Sequence, residues 1–349
     1  MWSGRVILSL KWIFGGLAEK PAFLYSSNGE FMKPFFPAYF NLSTADIEKR
    51  AQAAYSHLEK CDVCARNCGV NRFLEVGEQG ICKTGLRVRV SSYGVDMGEE
   101  APLVGTKGSG TVFFGRLPMK FKFYQPYEIG DSDDGIDMEP EQLAAIMLEL
   151  QDHECHNLNL IAPSHVVPQI LAALKIAVKA GLYLPLVYNS DGYDSVEVLK
   201  LLDGVVDIYI PDMRFSDPAA ADRYLRVADY VKINRVVVKE MHRQVGDLIM
   251  DDFGVAKHGL IIRHLVLPRN LGGTEDIARY LAKEISPNTY FHLMRRYFPS
   301  LGRTFPEINR PITDSEYDAA VNWVKKAGLQ RIDLGPIPRA PGPQPALTK

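Results

Sequence analysis

Four of the five cysteines lie close together in the sequence, and thiols at such spacing can hold a metal. Cys61, Cys64, Cys68 and Cys82 form the pattern C-x2-C-x3-C-x13-C, whereas Cys155 stands alone before an apolar segment. A disulfide framework is a poor explanation, because so large a chain with one further cysteine and no clear export signal is unlike small secreted domains. Four thiolates at short separations suit one tetrahedral metal ion or one iron–sulfur cluster. The sequence therefore predicts a metal site on these four residues.

The spacing of the cysteines does not distinguish zinc from a [4Fe–4S] cluster. Four protein ligands make a closed site, which is typical of a structural metal or of electron transfer. If Cys82 is not a ligand, three thiols leave one coordination position open for a different chemistry. The alternative to any metal is a loop with four free thiols. Cys155 has no cysteine near it in the sequence, and we expect it to be a small buried apolar residue.

The elements that must position these thiols alternate along the chain. Hydrophobic residues make up 46% and charged residues 23% of the 349 residues, as in ordinary globular proteins. Ser43 or Thr44 can cap a helix over residues 43–60 that leads into Cys61, and a short strand is predicted at 88–93. Further strands are predicted at 111–114, 156–162, 184–188, 206–210, 260–267 and 290–297. Helices are predicted between and after them at 140–150, 167–180, 195–202, 219–225, 236–248, 274–285 and 314–327. About six strand–helix units predict an α/β fold of parallel strands that forms an open or partial barrel.

Polar residues follow several of the predicted strands, and active sites of such folds lie at the carboxyl ends of the strands. The candidate ligand-binding residues there are Ser164, His165, Asn189, Asp212, His264, Arg295 and Arg296. The adjacent arginines can bind a carboxylate or a phosphate through paired hydrogen bonds. The alternative is that polar residues at strand ends cap helices, and Asp191 and Asp217 are N-cap candidates.

From residue 61 to residue 332 the sequence resembles the radical S-adenosylmethionine (SAM) proteins related to pyruvate formate-lyase activating enzymes. The matching segments occur in the family's order: CDVCARNCGVNR, GEQGIC, GSGTVFF, LPLVYNSDGYDS, LLDGVVDIYIPDMRF and GLIIRHLVLP. The resemblance implies a partial (β/α)6 barrel of radical SAM type, with SAM lying across the strand ends. It also implies a [4Fe–4S] cluster held by a Cys-x3-Cys-x2-Cys motif directly after the first barrel strand.

The loop that would carry this cluster has lost its thiols. The corresponding segment is TVFFGRLPMKFKFYQPYEIG, which places Leu117, Phe121 and Tyr124 at the three ligand positions. Leu and Phe have no donor atom, and one phenol cannot replace three thiolates. We therefore expect that the SAM-cleaving cluster cannot assemble, so that SAM binding is doubtful. We also expect side chains such as Met119 and Phe121 to fill its space.

The sequence divides into four predicted regions: an N-terminal arm and helix at 1–60, a four-cysteine metal-binding module at 61–107, the radical-SAM-like barrel at 108–335 and a Pro-rich flexible tail at 336–349. The net charge of −2 argues against a polybasic nucleic-acid-binding protein. No apolar run reaches the length of a membrane span, and we expect a cytoplasmic protein.

Three functional hypotheses follow. The preferred one is a pseudoenzyme of the radical SAM superfamily, without radical chemistry, that serves as a zinc- or iron–sulfur-containing scaffold or accessory subunit in a protein complex. The second is an enzyme whose cluster has moved to the N-terminal cysteines. The third is a protein that binds SAM or another small molecule without redox chemistry.

Overall fold

The computed structural model describes residues 35–74, 80–119, 134–299 and 305–335. Most of the predicted N-terminal arm and the whole Pro-rich tail lie outside these described residues, as do Phe121 and Tyr124. Within the described part of the chain, no helix is both long enough and apolar enough to cross a bilayer.

Helices and strands alternate along most of the described chain. The α-helices are α1 (Thr44–Ser56), α2 (Ala101–Val104), α3 (Pro140–Asp152), α4 (Val167–Lys179), α5 (Val196–Lys200), α6 (Pro218–Leu225), α7 (Tyr230–Val245), α8 (Thr274–Tyr280) and α9 (Asp314–Ala327). The strands are β1 (Val88–Asp96), β2 (Ser109–Phe114), β3 (Ile136–Met138), β4 (Leu158–Ile161), β5 (Leu186–Ser190), β6 (Ile208–Pro211), β7 (Ile249–Met250), β8 (Ala256–Leu265), β9 (Tyr290–Met294) and β10 (Arg331–Asp333). A π-helical turn, Leu281–Ile285, continues α8, and short 3-10 helices occur at Ala38–Asn41, Pro268–Asn270 and Pro306–Ile308.

The strands form one sheet in the order β10-β9-β8-β6-β5-β4-β2-β1-β3. From β2 to β10 the neighbouring strands are parallel and follow one another in chain order, with β7 set apart as an antiparallel partner of β8. At the other end, β1 pairs antiparallel with both β2 and β3. The prediction of an α/β fold with a mainly parallel sheet is therefore confirmed.

The ends of most predicted elements shift by a few residues. α9 has the predicted bounds, and Ser43 caps α1 by a capping box with Asp46. α7 begins six residues before its predicted start. The prediction missed these residues because Asn234, a buried polar residue, interrupts the apolar spacing. The amide of Asn234 donates to the carbonyls of Gly192 and Asp212 at 3.0 and 2.8 Å.

Three strands, β3, β7 and β10, were not predicted from the sequence. Each has only two or three residues, which is too short for an alternation of apolar and polar side chains to emerge. β1 is also longer than predicted, since its second half is half-buried or exposed and lacks an apolar signal.

The two faces of the sheet bury different side chains. One face packs Val112, Leu160 and Ile262 against the helices in the largest apolar cluster. The other face, called the inner face here, packs Val187, Ile208 and Ile261 against Leu103 of α2. Towards the carboxyl ends of the strands the inner face becomes polar. The polar residues on it include Asn159, Asn189, Arg263 and His292.

A buried carboxylate ties the beginning of the described chain to the amino end of the sheet. The backbone N–H groups of Ala38 and Leu186 donate to Asp207 at 2.7 and 2.8 Å. Nearby, the hydroxyl of Tyr39 donates to the carbonyl of Leu184 at 2.8 Å. Burial raises the pKa of Asp207 to about 7, although the two N–H groups oppose the rise.

Candidate functional site

Tight turns gather the four cysteines of the N-terminal pattern directly after α1. We call residues 61–74 and 80–86 the cysteine segment. The Cys61 N–H donates to the carbonyl of Val70 at 2.8 Å, and the Gly69 N–H returns to the Cys61 carbonyl at 2.9 Å. Gly69 has a φ of +69°, which a residue with a side chain adopts only with strain. At the far end of the segment, Gly80 lies so close to Cys68 that an added Cβ would stand 3.4 Å from its sulfur.

The four thiols share one neighbourhood. Burial raises the pKa of Cys64 to about 12, the Arg66 backbone N–H opposes the rise by donating to the Cys64 sulfur, and the charges of Cys82, Cys61 and Cys68 raise the pKa further. No disulfide joins the cysteines. Among the described residues, no three His, Cys, Asp or Glu side chains stand in an arrangement that would hold a metal ion as they are. The folding of the segment therefore collects the thiols without drawing them to coordinating positions.

Two arginines accompany these thiols. Arg72 is 4% exposed, and its Nη1 lies 3.9 Å from the sulfur of Cys61. Its guanidinium donates to the carbonyl of Gly85 at 3.0 Å and to that of His165 at 2.8 Å. Arg66, which lies between Cys64 and Cys68 in the sequence, is half-buried. Both cations thus lie within the cysteine segment.

The cysteine segment is docked on the carboxyl ends of the parallel strands. Cys64 forms a backbone bridge with Asp194, which follows β5. Arg66 donates to the carbonyl of Pro118 after β2 at 3.0 Å and lies over the ring of Tyr193 at 5.7 Å. The bond from Arg72 to His165 adds a contact to the loop after β4. Three neighbouring strand ends are therefore tied to the segment that carries the thiols.

Met119 fills space at the same strand ends. Its side chain is 2% exposed and belongs to an apolar cluster with residues that follow the strands. The neighbours in this cluster include Tyr193, Phe215, Tyr230, Leu265 and Tyr297. Arg66 reaches the sulfur of Met119 at 3.7 Å. Leu117, the first of the three positions that correspond to the family's cysteines, is half-buried beside it.

Ser164 belongs to a buried hydrogen-bond cluster around Asp194. The carboxylate of Asp194 accepts bonds from the hydroxyls of Tyr188 and Ser190, each at 2.8 Å, and from Ser164. Burial raises the pKa of Asp194, and the three hydroxyls oppose that rise. Since every donor is satisfied internally, this cluster holds the loop after β5 in place under Cys64.

Asp212 forms an ion-pair cluster at the end of β6. Arg214 donates to both Asp212 and Asp191, and the distance to Asp191 is 3.0 Å. Burial raises the pKa of Asp191 to about 6, against the opposing charge of Arg214. The expectation that Asp191 caps a helix is not met, because its carboxylate binds Arg214; Asp217 does cap α6, accepting from the N–H of Ala219.

Asn189 contacts a charged cluster that was not predicted from the sequence. Its amide oxygen accepts from Arg263 at 3.2 Å, and Arg263 also binds Glu99 and Glu100. His292 donates to Glu100 at 2.8 Å. Burial raises the pKa of Glu99; burial would do the same for Glu100, but Arg263 and His292 lower the pKa of Glu100 well below its usual value. A signal for this cluster existed in the adjacent acids before α2 and in an arginine that directly follows the apolar run at 260–262 in β8.

Two side-chain amides on the inner face leave polar atoms without a hydrogen-bond partner. Both polar atoms of the Asn159 side chain and the Nδ2 of Asn189 are buried without a partner. Asn159 was not among the predicted residues. Buried amides of this kind usually bind water or a ligand.

The two predicted histidines act within the structure. His165 donates from Nε2 to the carbonyl of Gly115 at 3.0 Å. His264 donates to the carbonyl of Met213 at 2.6 Å and accepts from the hydroxyl of Thr274 at 2.9 Å. Burial lowers the pKa of His264 to about 4, so its ring is neutral at neutral pH.

The two predicted arginines do not form a clamp. Arg295 pairs with Asp314 at the start of α9 and lies over the ring of Tyr317 at 5.0 Å. Arg296 is exposed and lies over the ring of Phe298 at 5.5 Å. Their side chains thus engage different neighbours.

Cys155 is buried, as expected for a small apolar residue.

Comparison with known proteins finds a distant relative. The chain is 29% identical over 298 residues to the uncharacterized protein MJ0674 of Methanocaldococcus jannaschii, a match that covers 82% of this chain and 80% of that protein. No protein-family model matches the chain. The name of this relative states no activity, so the similarity assigns no function to the chain.

Proposed function

We propose that the chain is a degenerate radical SAM-type protein that carries a metal on its N-terminal cysteines and serves as a scaffold or accessory subunit. In this proposal the parallel strands, which neighbour one another in chain order, form the partial (β/α)6 barrel. The cysteine segment is a metal-binding module seated on the strand ends. Its metal, zinc or an iron–sulfur cluster, stabilises the module or transfers electrons.

The proposed lack of SAM cleavage rests on the residues that follow β2. Leu117 offers no metal ligand, and Met119 fills space at the strand ends at 2% exposure. A buried Met among aromatic rings contributes packing that an open cluster site would forfeit. The role of scaffold or accessory subunit in this proposal follows from the loss of the chemistry that the family's fold otherwise serves.

The chemistry of the cysteine segment fits a metal. Four thiols lie in one neighbourhood, a backbone N–H already donates to the sulfur of Cys64, and a buried guanidinium lies near Cys61. Such surrounding donors orient thiolate ligands and offset their charge. The ligands in the proposal are Cys61, Cys64, Cys68 and Cys82.

A second candidate is an enzyme with a relocated cluster, and one observation favours it. That hypothesis needs the cysteines to approach the strand ends, and Cys64 is bridged to Asp194 at the end of β5. Three cysteine ligands would then leave an open position. Four would close the site and favour the scaffold.

SAM cleavage separates the two candidates. Anaerobically reconstituted and chemically reduced protein is incubated with SAM, and 5′-deoxyadenosine is measured. We expect none to form. Formation that disappears in the Cys68→Ala variant and persists in Cys155→Ala would replace the scaffold by the relocated-cluster enzyme.

A further inference from the structure

Arg72 is a buried cation for which the described residues supply no carboxylate partner. The side chain is 4% exposed, and its described partners are two backbone carbonyls, those of Gly85 and His165, and the sulfur of Cys61. Within the described ranges it forms no ion pair. This differs from Arg89, Arg214 and Arg263, whose side chains are 15–16% exposed and which each bind at least one carboxylate.

Burying a guanidinium is costly unless an opposite charge lies near it. Carbonyl dipoles satisfy its hydrogen bonds but leave its net charge uncompensated. Among the described hydrogen-bond partners of Arg72, the group that can become negatively charged is the thiol of Cys61, 3.9 Å from Nη1. As a neutral thiol Cys61 supplies no charge, whereas a metal-bound thiolate supplies part of one.

Arg66 is a second cation of the cysteine segment. It lies between Cys64 and Cys68 in the sequence and donates to the carbonyl of Pro118. Its charge rests over the ring of Tyr193, and it has no carboxylate partner among the described residues. Within the described residues, two cations without a carboxylate partner therefore belong to the segment that carries the four cysteines.

We propose that Arg72, assisted by Arg66, is the counter-charge and positioning residue of an anionic metal–thiolate site. The inference rests on the proposed metal site. Four thiolates around a zinc ion or a doubly charged [4Fe–4S] core leave two negative charges in excess. The two arginines balance these charges. Arg72 also fixes the site against the strand ends, because the same Nη1 that approaches Cys61 donates to the carbonyl of His165.

Cobalt binding measures this role directly. Metal-free protein is titrated with Co²⁺ in competition with a chelator, and thiolate coordination is followed by its charge-transfer absorbance. Arg72→Gln keeps a donor for one carbonyl but removes the charge, and we expect the Co²⁺ affinity to fall about 10- to 100-fold. Arg72→Lys keeps the charge and should lose much less.

The control is Arg87→Gln, which removes an arginine close in sequence whose side chain is 61% exposed and paired with Glu139. We expect it to bind Co²⁺ like the wild type. Arg66→Gln leaves the bonds of Arg72 intact and should weaken Co²⁺ binding in the same direction as Arg72→Gln. If Arg72→Gln does not fold, the Co²⁺ affinity of Arg66→Gln tests the inference by itself.

Two results would overturn the inference: equal losses of affinity in Arg72→Gln and Arg72→Lys, which would indicate a purely structural role, or an unchanged affinity in Arg66→Gln and Arg72→Gln. Wild-type protein that develops no thiolate absorbance with Co²⁺ would instead remove the proposed metal site, and the inference with it.

Discussion

Asp207 is a single residue whose protonation should be visible in the stability of the protein. Its pKa is raised from 3.8 to about 7 in the folded state because it is buried. The protonated form is thus favoured by folding. The corresponding stability is fully present below about pH 4 and is lost as the pH rises through about 7, a span worth about 4 kcal/mol.

The Asp207→Asn variant tests this dependence. Asn cannot ionise, and its carbonyl can accept only one of the two N–H bonds. We expect wild type to lose unfolding free energy relative to Asp207→Asn between pH 5 and pH 8, measured by urea denaturation. A difference between the two proteins that stays constant across this range would show that Asp207 does not titrate there.

Residue-scale chemistry was partly predictable from the sequence. The cysteine pattern was evident because its members are close in sequence, and the structure gathers them. The pairing of Glu100 with Arg263 was hidden because these residues lie far apart along the chain. The unsatisfied amide of Asn159 was equally hidden, since no sequence pattern reports whether a buried side chain finds a partner.

At the scale of elements, the described start of the loop after β2, residues 115–119, is packed at the strand ends. Met119 is buried in the apolar cluster at the strand ends, so truncation would leave a cavity. We expect Met119→Ala to lower the free energy of unfolding by about 2–5 kcal/mol. Met97→Ala is the matched control, because Met97 is 61% exposed and should be nearly neutral. Equal effects of the two substitutions on urea unfolding would contradict the packed loop.

The alternation of strands and helices was predictable because apolar spacing repeats within each element. The docking of the cysteine segment was not predictable in this way. It depends on contacts such as Arg66 to Pro118 and Arg72 to His165, which join loops of different elements. Very short strands such as β10 also escape detection, because their pairing is decided by the neighbouring strand β9.

At the scale of the whole molecule, we expect the cysteine segment and the carboxyl ends of the strands to be stabilised together. The segment contacts loops after β2, β4 and β5, so metal removal should loosen those loops together. We expect chelation to speed amide hydrogen exchange at residues 115–119 and 192–194. The amino end around Asp207 should stay unchanged. Uniform acceleration, or none at the strand ends, would contradict this coupling.

Metal analysis of anaerobically purified protein tests the claim that four thiolates hold a metal. Iron, zinc and acid-labile sulfide are measured per chain, with a visible spectrum, for wild type, Cys64→Ala and the matched control Cys155→Ala. We expect about one zinc, or about four iron and four sulfide, in wild type and Cys155→Ala. Cys64→Ala should lose the metal. Wild-type protein without zinc or iron, or a metal retained fully by Cys64→Ala, would contradict the claim.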